Sequence, residues 1–482
     1  MKESPRNLSL MTDLYELTMM NGYHALGTSE RTAVFDVFFR QAGQISYAVA
    51  AGLEQVVEYI QNLHFDDDDI DYLRREAGLT EDFLATLKDF RFTGDIYSVP
   101  EGTIVFPNEP ILIVRAPLSQ AQLVEPAILN IINHQTLIAT KASKVKMSAG
   151  RAAVSEFGLR RAQGPDAGIY GARASIIGGC SGTSNVLSGR MFDIPIKGTM
   201  AHSWIMSFDS ELEAFRKFAE IYPDNTLLLV DTYDTLRSGV PNAIKVFDEL
   251  KAKGKKPIGI RLDSGDLAYL SKKARKMLDA AGHKDAIIFA SCDLDEFVIS
   301  SLNEQGARID AYGVGTRLIT SENMPSLGGV YKLAELTENG VRVPKIKISD
   351  TQEKITNPGF KTLYRVYDGD GMAFADLIAL DDEKIDASAP LRLTHPTMRW
   401  KSTTLEKYTI RKLLEPVFEK GKLVRHMPKL SEIAEYNKKE KGTFWDEYLR
   451  NVNPEIFKVD LSDDLYELKS KLIAEHTGGN RK

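Results

Sequence analysis

Cysteine is scarce in this chain: two in 482 residues, Cys180 and Cys292. Two thiols cannot build a disulfide framework, and with eight scattered histidines they offer no zinc-ligand spacing. A reducing, cytoplasmic setting is therefore expected. Long apolar runs are missing too. The nearest, AILNIINHQTLIAT at 127–140, carries two Asn and a His, so it reads as a buried helix and not as a bilayer span of about 20 apolar residues. The opening residues, MKESPRNLSLMTD, contain no apolar stretch of the kind that directs secretion. A basic excess is also lacking. Sixty-one Lys and Arg stand against 67 Asp and Glu, a net charge of −6, which argues against a general nucleic-acid binder but leaves room for a locally basic pocket.

What the chain has is the composition of a globular protein, 43% hydrophobic and 27% charged, at a length that predicts two or three domains. Apolar positions at helical spacing (Leu10, Leu14, Leu17, Met20) predict a helix over 9–26 with Ser9 as its cap. AVFDVFFR (33–40) reads as a strand and AGLEQVVEYIQNL (51–63) as a helix. Segments 92–98 and 103–115 read as strands punctuated by prolines. The run DDDD at 66–69 reads as a solvated acidic turn, because adjacent carboxylates cannot all face one ion. Residues 1–140 are thus expected to form an α+β domain.

The middle is more regular. Short apolar runs at 227–230 (LLLV), 258–262 (IGIRL), 286–290 (AIIFA) and 309–314 (IDAYGV) alternate with amphipathic stretches such as 271–282 and 295–306. That alternation means parallel βαβ units. The expected fold is α/β, an irregular β/α barrel over 141–345, with an open doubly wound sheet as the alternative. Beyond 345 the pattern loosens, with strands near 361–367 and 372–379 and the polar run YNKKEKG at 436–442. Residues 346–482 are expected to form a smaller region packing partly back on the N-terminal domain.

In a β/α barrel the chemistry gathers where the strands end. LLLV is followed by Asp231-Thr232-Tyr233-Asp234 and Arg237; IGI by Arg261, Asp263, Ser264 and Asp266; AIIFA by Ser291-Cys292-Asp293-Leu294-Asp295; IDAYGV by Gly315-Thr316-Arg317. Helix capping accounts for Ser264, Asp266 or Asp295 singly, but not for Arg261 set among carboxylates. Gly313, Gly315 and Thr316, with Gly328 and Gly329, can bring backbone N–H groups to a phosphate. Arg160, Arg161, Arg237, Arg261 and Arg317 can meet anions through paired hydrogen bonds. Asp231, Asp263 and Asp293 can hold Mg²⁺ through water, or ribose hydroxyls directly. The residue types point to a phosphorylated sugar, a diphosphate included, plus a second anion. A Schiff-base aldolase is a rival reading, for which Lys197 is the only candidate amine; a non-catalytic sugar-phosphate binder is another.

Taken together, TDLYELTMMNGY (12–23), FDVFFR (35–40), GLRRAQGPDAG (158–168), GTMAHS (198–203), LVDTYDTLRSGVPNA (229–243), GIRLDSGDL (259–267), GVGTRLITS (313–321) and LGGVYKL (327–333) resemble the nicotinate phosphoribosyltransferases. The resemblance implies a type II phosphoribosyltransferase fold and transfer of phosphoribosyl from 5-phosphoribosyl-1-diphosphate (PRPP) to nicotinate, in NAD salvage. It implies Mg²⁺ as cofactor, ATP as co-substrate, and a phosphohistidine at His202. Nicotinate would be met by Tyr15, Arg261 and Thr199, and its carboxylate or the diphosphate by Arg160. The 5-phosphate would be met by Gly315 and Thr316, and Ser203 would steady phosphoryl oxygens. A homodimer follows, because Tyr15 would come from the neighbouring subunit. Sister enzymes acting on nicotinamide or quinolinate remain the alternatives.

Overall fold

The computed structural model describes residues 6–40, 46–351, 354–398 and 400–477. Packing divides the chain into two compact units, Met1–Leu137 with Ser326–Lys482, and Ile138–Pro325.

The Ile138–Pro325 unit is built on a five-stranded sheet in the order Ala153–Glu156, Ala311–Val314, Ile287–Cys292, Gly259–Leu262, Leu227–Leu229. Every pairing in it is parallel. The strands are short and largely buried, as strands covered by crossover helices must be. Those helices start where the sequence supplies caps. Asp266 accepts from Tyr269 N, Ser210 from Glu213 N, and Asp295 from both Phe297 N and Val298 N. Past the Ala153–Glu156 edge, two single parallel bridges, Glu156–Thr183 and Thr183–Ile196, continue the sheet. This is the expected irregular β/α barrel, its first edge made of bridges instead of full strands.

The other unit holds a seven-stranded antiparallel sheet in the order Val341–Pro344, Gly329–Glu338, Thr32–Phe39, Leu112–Pro117, Asp95–Ser98, Glu415–Glu419, Lys422–Leu423. It also holds a six-stranded sheet, drawn from residues 361–461. The boundary drawn at 345 from the sequence moves to 325. Gly329–Glu338 pairs with Thr32–Phe39, Phe39 facing Gly329 and Ala33 facing Leu336, and that long-range pairing removes it from the barrel. Fully buried Arg365 joins the same unit together. It donates to Asp376 at 2.6 Å, Glu440 at 3.0 Å and the Ile104 carbonyl at 2.7 Å, so residues from both ends of the chain share one cation.

Two local expectations shift. The first helix runs Leu14–Ala25 and not from 9, because the Ser9 hydroxyl bonds Asn7 Oδ1 at 2.6 Å and takes the His64 N–H. The acidic run starts a helix: Asp66 caps Asp67–Glu76 in a reciprocal capping box with Asp69, and the other carboxylates sit in the first turn, where the helix dipole favours them. Among the described residues no helix is long and apolar enough to cross a membrane.

Candidate active site

Parallel register decides which side chains meet. Leu229 pairs with Arg261, Arg261 with Phe289, Phe289 with Ala311 and Ser291 with Gly313. Side chains alternate between faces, so two residues further on Asp231, Asp263 and Ser291 form a row on one face, at the carboxyl ends of neighbouring strands. Gly313 continues the row without a side chain. A Cβ there would lie 2.6 Å from Phe157 Cδ2 and 2.9 Å from Phe289 Cε1, so the stacked Phe157 and Phe289 rings require the glycine.

Asp231 is the hub. Its side chain is 1% exposed. Oδ1 lies 3.2 Å from His202 Nε2; Oδ2 accepts the Asp263 N–H at 2.9 Å and the Ser264 hydroxyl at 2.6 Å. A carboxylate only accepts, so it holds the proton on Nε2 and leaves the Nδ1 lone pair of His202 open. His202 begins the short helix His202–Met206, with Ser203 exposed beside it. Thr199 donates to the Leu227 carbonyl at 2.6 Å.

Arg261 is held on three sides. Nε donates to Ser291 Oγ at 2.8 Å, one terminal nitrogen to the Met200 carbonyl at 3.3 Å, and the other to Asp263 Oδ1 at 2.7 Å. The Ser291 hydroxyl in turn donates to Asp263 Oδ1. Burial pushes the Asp263 carboxyl upward, but the Ser291 hydrogen bond, the Arg261 charge and hydrogen bond, and the nearby His202 outweigh it, and the net direction is down. Asp263 therefore stays ionised.

Next along the rim, Asp295 caps its helix and accepts from Arg317 at 2.7 Å. Burial again opposes ionisation, and the Val298 N–H and Arg317 overcome it. Gly315 and Thr316 open the short helix Thr316–Ile319, and a Cβ on Gly315 would sit 3.1 Å from the Phe157 carbonyl oxygen. Arg160 lies exposed on the single turn Leu159–Arg161, and Arg237 is 92% exposed, 3.9 Å from Asp234. Among the described residues neither makes a hydrogen bond or ion pair to the His202 cluster. Lys197 is exposed, so nothing desolvates it into an aldolase amine.

Three candidates belong to the other unit. Tyr15 lies half-exposed on Leu14–Ala25, its phenol pushed up by burial and by the Glu16, Glu125 and Asp13 carboxylates. Gly328 has a left-handed φ of 71°, and Gly329 donates to Asn133 Oδ1 at 3.1 Å, whose side chain leaves no room for a Cβ. That packing accounts for the second glycine without a phosphate.

Among the described residues, no group of three or more His, Cys, Asp or Glu is arranged to hold a metal ion. Asp231 has both oxygens committed to protein donors, so it fits an orienting role better than a metal ligand. Asp263 Oδ2 and the exposed Asp293 carry no such bonds among the described residues. They suit an ion that is bound mainly through substrate phosphates and water.

Reading the strand ends missed Glu156. Buried at the end of Ala153–Glu156, it accepts the Thr183 hydroxyl at 2.5 Å and the Gly158 N–H, pinning the start of the twin-arginine turn to the 181–185 segment. Its burial raises its pKa, against those two bonds.

The profiles of the nicotinate phosphoribosyltransferase N-terminal domain, the family itself and its C-terminal domain match residues 10–133, 152–371 and 360–469. A nicotinate phosphoribosyltransferase of Bacillus subtilis is 49% identical over 97% of this chain and 96% of its own. One from Caenorhabditis elegans is 37% identical over 95% and 92%. The crystal structure of human nicotinic acid phosphoribosyltransferase superposes with a TM-score of 0.83 at 28% identity, covering 96% of this chain and all of that one. The chain belongs to the nicotinate phosphoribosyltransferase family.

Proposed function

We propose that the strand-end cluster of the Ile138–Pro325 unit transfers phosphoribosyl from PRPP to nicotinate, giving nicotinate mononucleotide and diphosphate, and couples the transfer to ATP at His202. The observation that carries this reading is the contiguous chain His202–Asp231–Asp263–Arg261–Ser291, which sets an oriented imidazole beside a clamped guanidinium.

The pyridine nitrogen of nicotinate attacks the anomeric carbon as the bond to diphosphate breaks. That nitrogen has its own lone pair, so no general base is needed. Arg261 pairs with the nicotinate carboxylate. Positive charge grows on the ribose ring and negative charge on the leaving group. Ionised Asp263 favours the first, and arginines of the rim, Arg160, Arg237 and Arg317, favour the second. Mg²⁺, held by the diphosphate with Asp263 Oδ2 and Asp293 as protein partners, would offset leaving-group charge. Gly315 and Thr316 receive the 5-phosphate. In the coupling step His202 Nδ1 takes the γ-phosphoryl of ATP and ADP leaves. Asp231 steadies the imidazolium, and water later releases phosphate. The exposed Tyr15 suits a second copy of the chain better than solvent, consistent with a homodimer in which it completes the nicotinate site.

The test is product formation from nicotinate, PRPP and Mg²⁺, with and without ATP, and with nicotinamide in parallel. Product from nicotinate, raised by ATP with release of ADP, supports the reading. Product from nicotinamide alone reassigns Arg261, and product from neither removes the reaction.

A further inference from the structure

We infer that Ser291 is a positioning residue that fixes the Arg261 guanidinium, and so sets the preference for a carboxylate over a carboxamide on the pyridine ring. The inference rests on the reading of Arg261 as the carboxylate partner.

A guanidinium has five N–H donors. Protein acceptors occupy three of those on Arg261: Ser291 Oγ, the Met200 carbonyl and Asp263 Oδ1. One N–H on each terminal nitrogen is left, the pair a carboxylate accepts in bidentate fashion. Arg261 is otherwise a long side chain on a four-residue strand, free to rotate about its own stem. Without Ser291, Asp263 and the Met200 carbonyl would hold only the two terminal nitrogens. Ser291 holds Nε and simultaneously donates to the oxygen of Asp263 that Arg261 uses. The three groups close a ring of hydrogen bonds, and the guanidinium is then held at three points instead of two. The hydroxyl itself cannot drift, because Ser291 is 4% exposed. The next residue, Cys292, has φ of 140°, a conformation unfavourable for a non-glycine residue. The backbone is thus strained immediately after the serine although Cys292 still pairs with Val314, and such strain is maintained only if the surroundings hold it.

The contribution differs between substrates. A carboxylate gains from two N–H donors held in one plane. A carboxamide offers one acceptor and brings its own N–H groups against a cation, so it gains little from the alignment.

The experiment compares Ser291→Ala, Ser291→Thr and Arg261→Gln in steady-state assays with nicotinate, nicotinamide and PRPP varied in turn, each variant checked for a cooperative thermal transition. Ser291→Ala is expected to raise the nicotinate KM about tenfold, one hydrogen bond's worth, with kcat within about threefold. The PRPP KM and any nicotinamide turnover should change far less than the nicotinate KM, and Ser291→Thr, which keeps the hydroxyl, should recover most of the loss. An unchanged nicotinate KM in folded Ser291→Ala, alongside a raised one in Arg261→Gln, overturns the role of Ser291. So does a loss spread equally over all substrates, or a loss that the threonine does not recover. An unchanged nicotinate KM in Arg261→Gln fails the underlying reading of Arg261 instead.

Discussion

Asp231→Asn isolates the group on which the coupling step depends. The substitution keeps shape and volume and removes one charge. Asn Oδ1 can still accept from Asp263 N and Ser264 Oγ, now 2.9 and 2.6 Å from Oδ2, and that choice turns Nδ2 toward His202. An amide N–H facing Nε2 makes that nitrogen the acceptor, moves the ring proton to Nδ1 and blocks the lone pair that attacks phosphorus. Charge is lost as well. Two unit charges 3.2 Å apart interact by about 5 kcal/mol at an effective permittivity of about 20. The imidazole is 39% exposed, so solvent screening reduces this to roughly 2–4 kcal/mol. The ATP-dependent increment should therefore fall by about thirty- to a thousandfold. The assay measures ADP released per nicotinate mononucleotide formed, beside transfer in the absence of ATP. The ratio should collapse while ATP-independent transfer falls far less. A folded variant whose ADP-to-product ratio stays within about threefold of the unaltered enzyme refutes the orientation argument.

Arg365→Ala should destabilise its unit by about 3–5 kcal/mol, read by urea denaturation, because it leaves Asp376 buried without its cation and takes from buried Glu440 one of its two arginine partners, Arg411 being the other. Gly239→Ala should cost about 3 kcal/mol or more and disorder the loop after Leu227–Leu229, since its Cβ would fall 1.8 Å from the Val230 carbonyl oxygen; a thermal midpoint within a degree of the parent contradicts this. Glu125 is pushed up to about 7 by burial, with Glu16 and Asp13 adding to it against Lys332. A raised folded-state pKa gives stability that is complete below the usual carboxylate range and is lost as pH rises through about 7. The thermal midpoint should decline between pH 5 and 8, and Glu125→Gln should flatten that decline.

The barrel was legible because its signals are local. Each parallel strand is a brief apolar run ended by a residue that caps the next helix, as with Asp266 and Asp295. Ala153–Glu156 escaped notice because its four residues include a serine and a glutamate whose burial depends on Thr183, 27 positions away. Gly329–Glu338 was placed with the barrel because strand pairing is decided by distant partners and not by the strand's own residues. The site residues on the strand ends were legible by type. Their roles were not. Asp231 reads as a holder of Mg²⁺ or of ribose hydroxyls, and its bond to His202 follows only from strand register; Ser291 reads as one more polar rim residue, and its bonds to Arg261 and Asp263 depend on partners 30 and 28 positions away.

The claim that ATP acts through His202 is tested most directly by incubating the enzyme with ATP labelled at the γ-phosphate, then quenching and digesting it. Acid-labile, base-stable label on the peptide containing His202, absent from His202→Ala, is the expected result. Label persisting in His202→Ala, or ATP-stimulated product formation surviving unchanged in that variant, contradicts it.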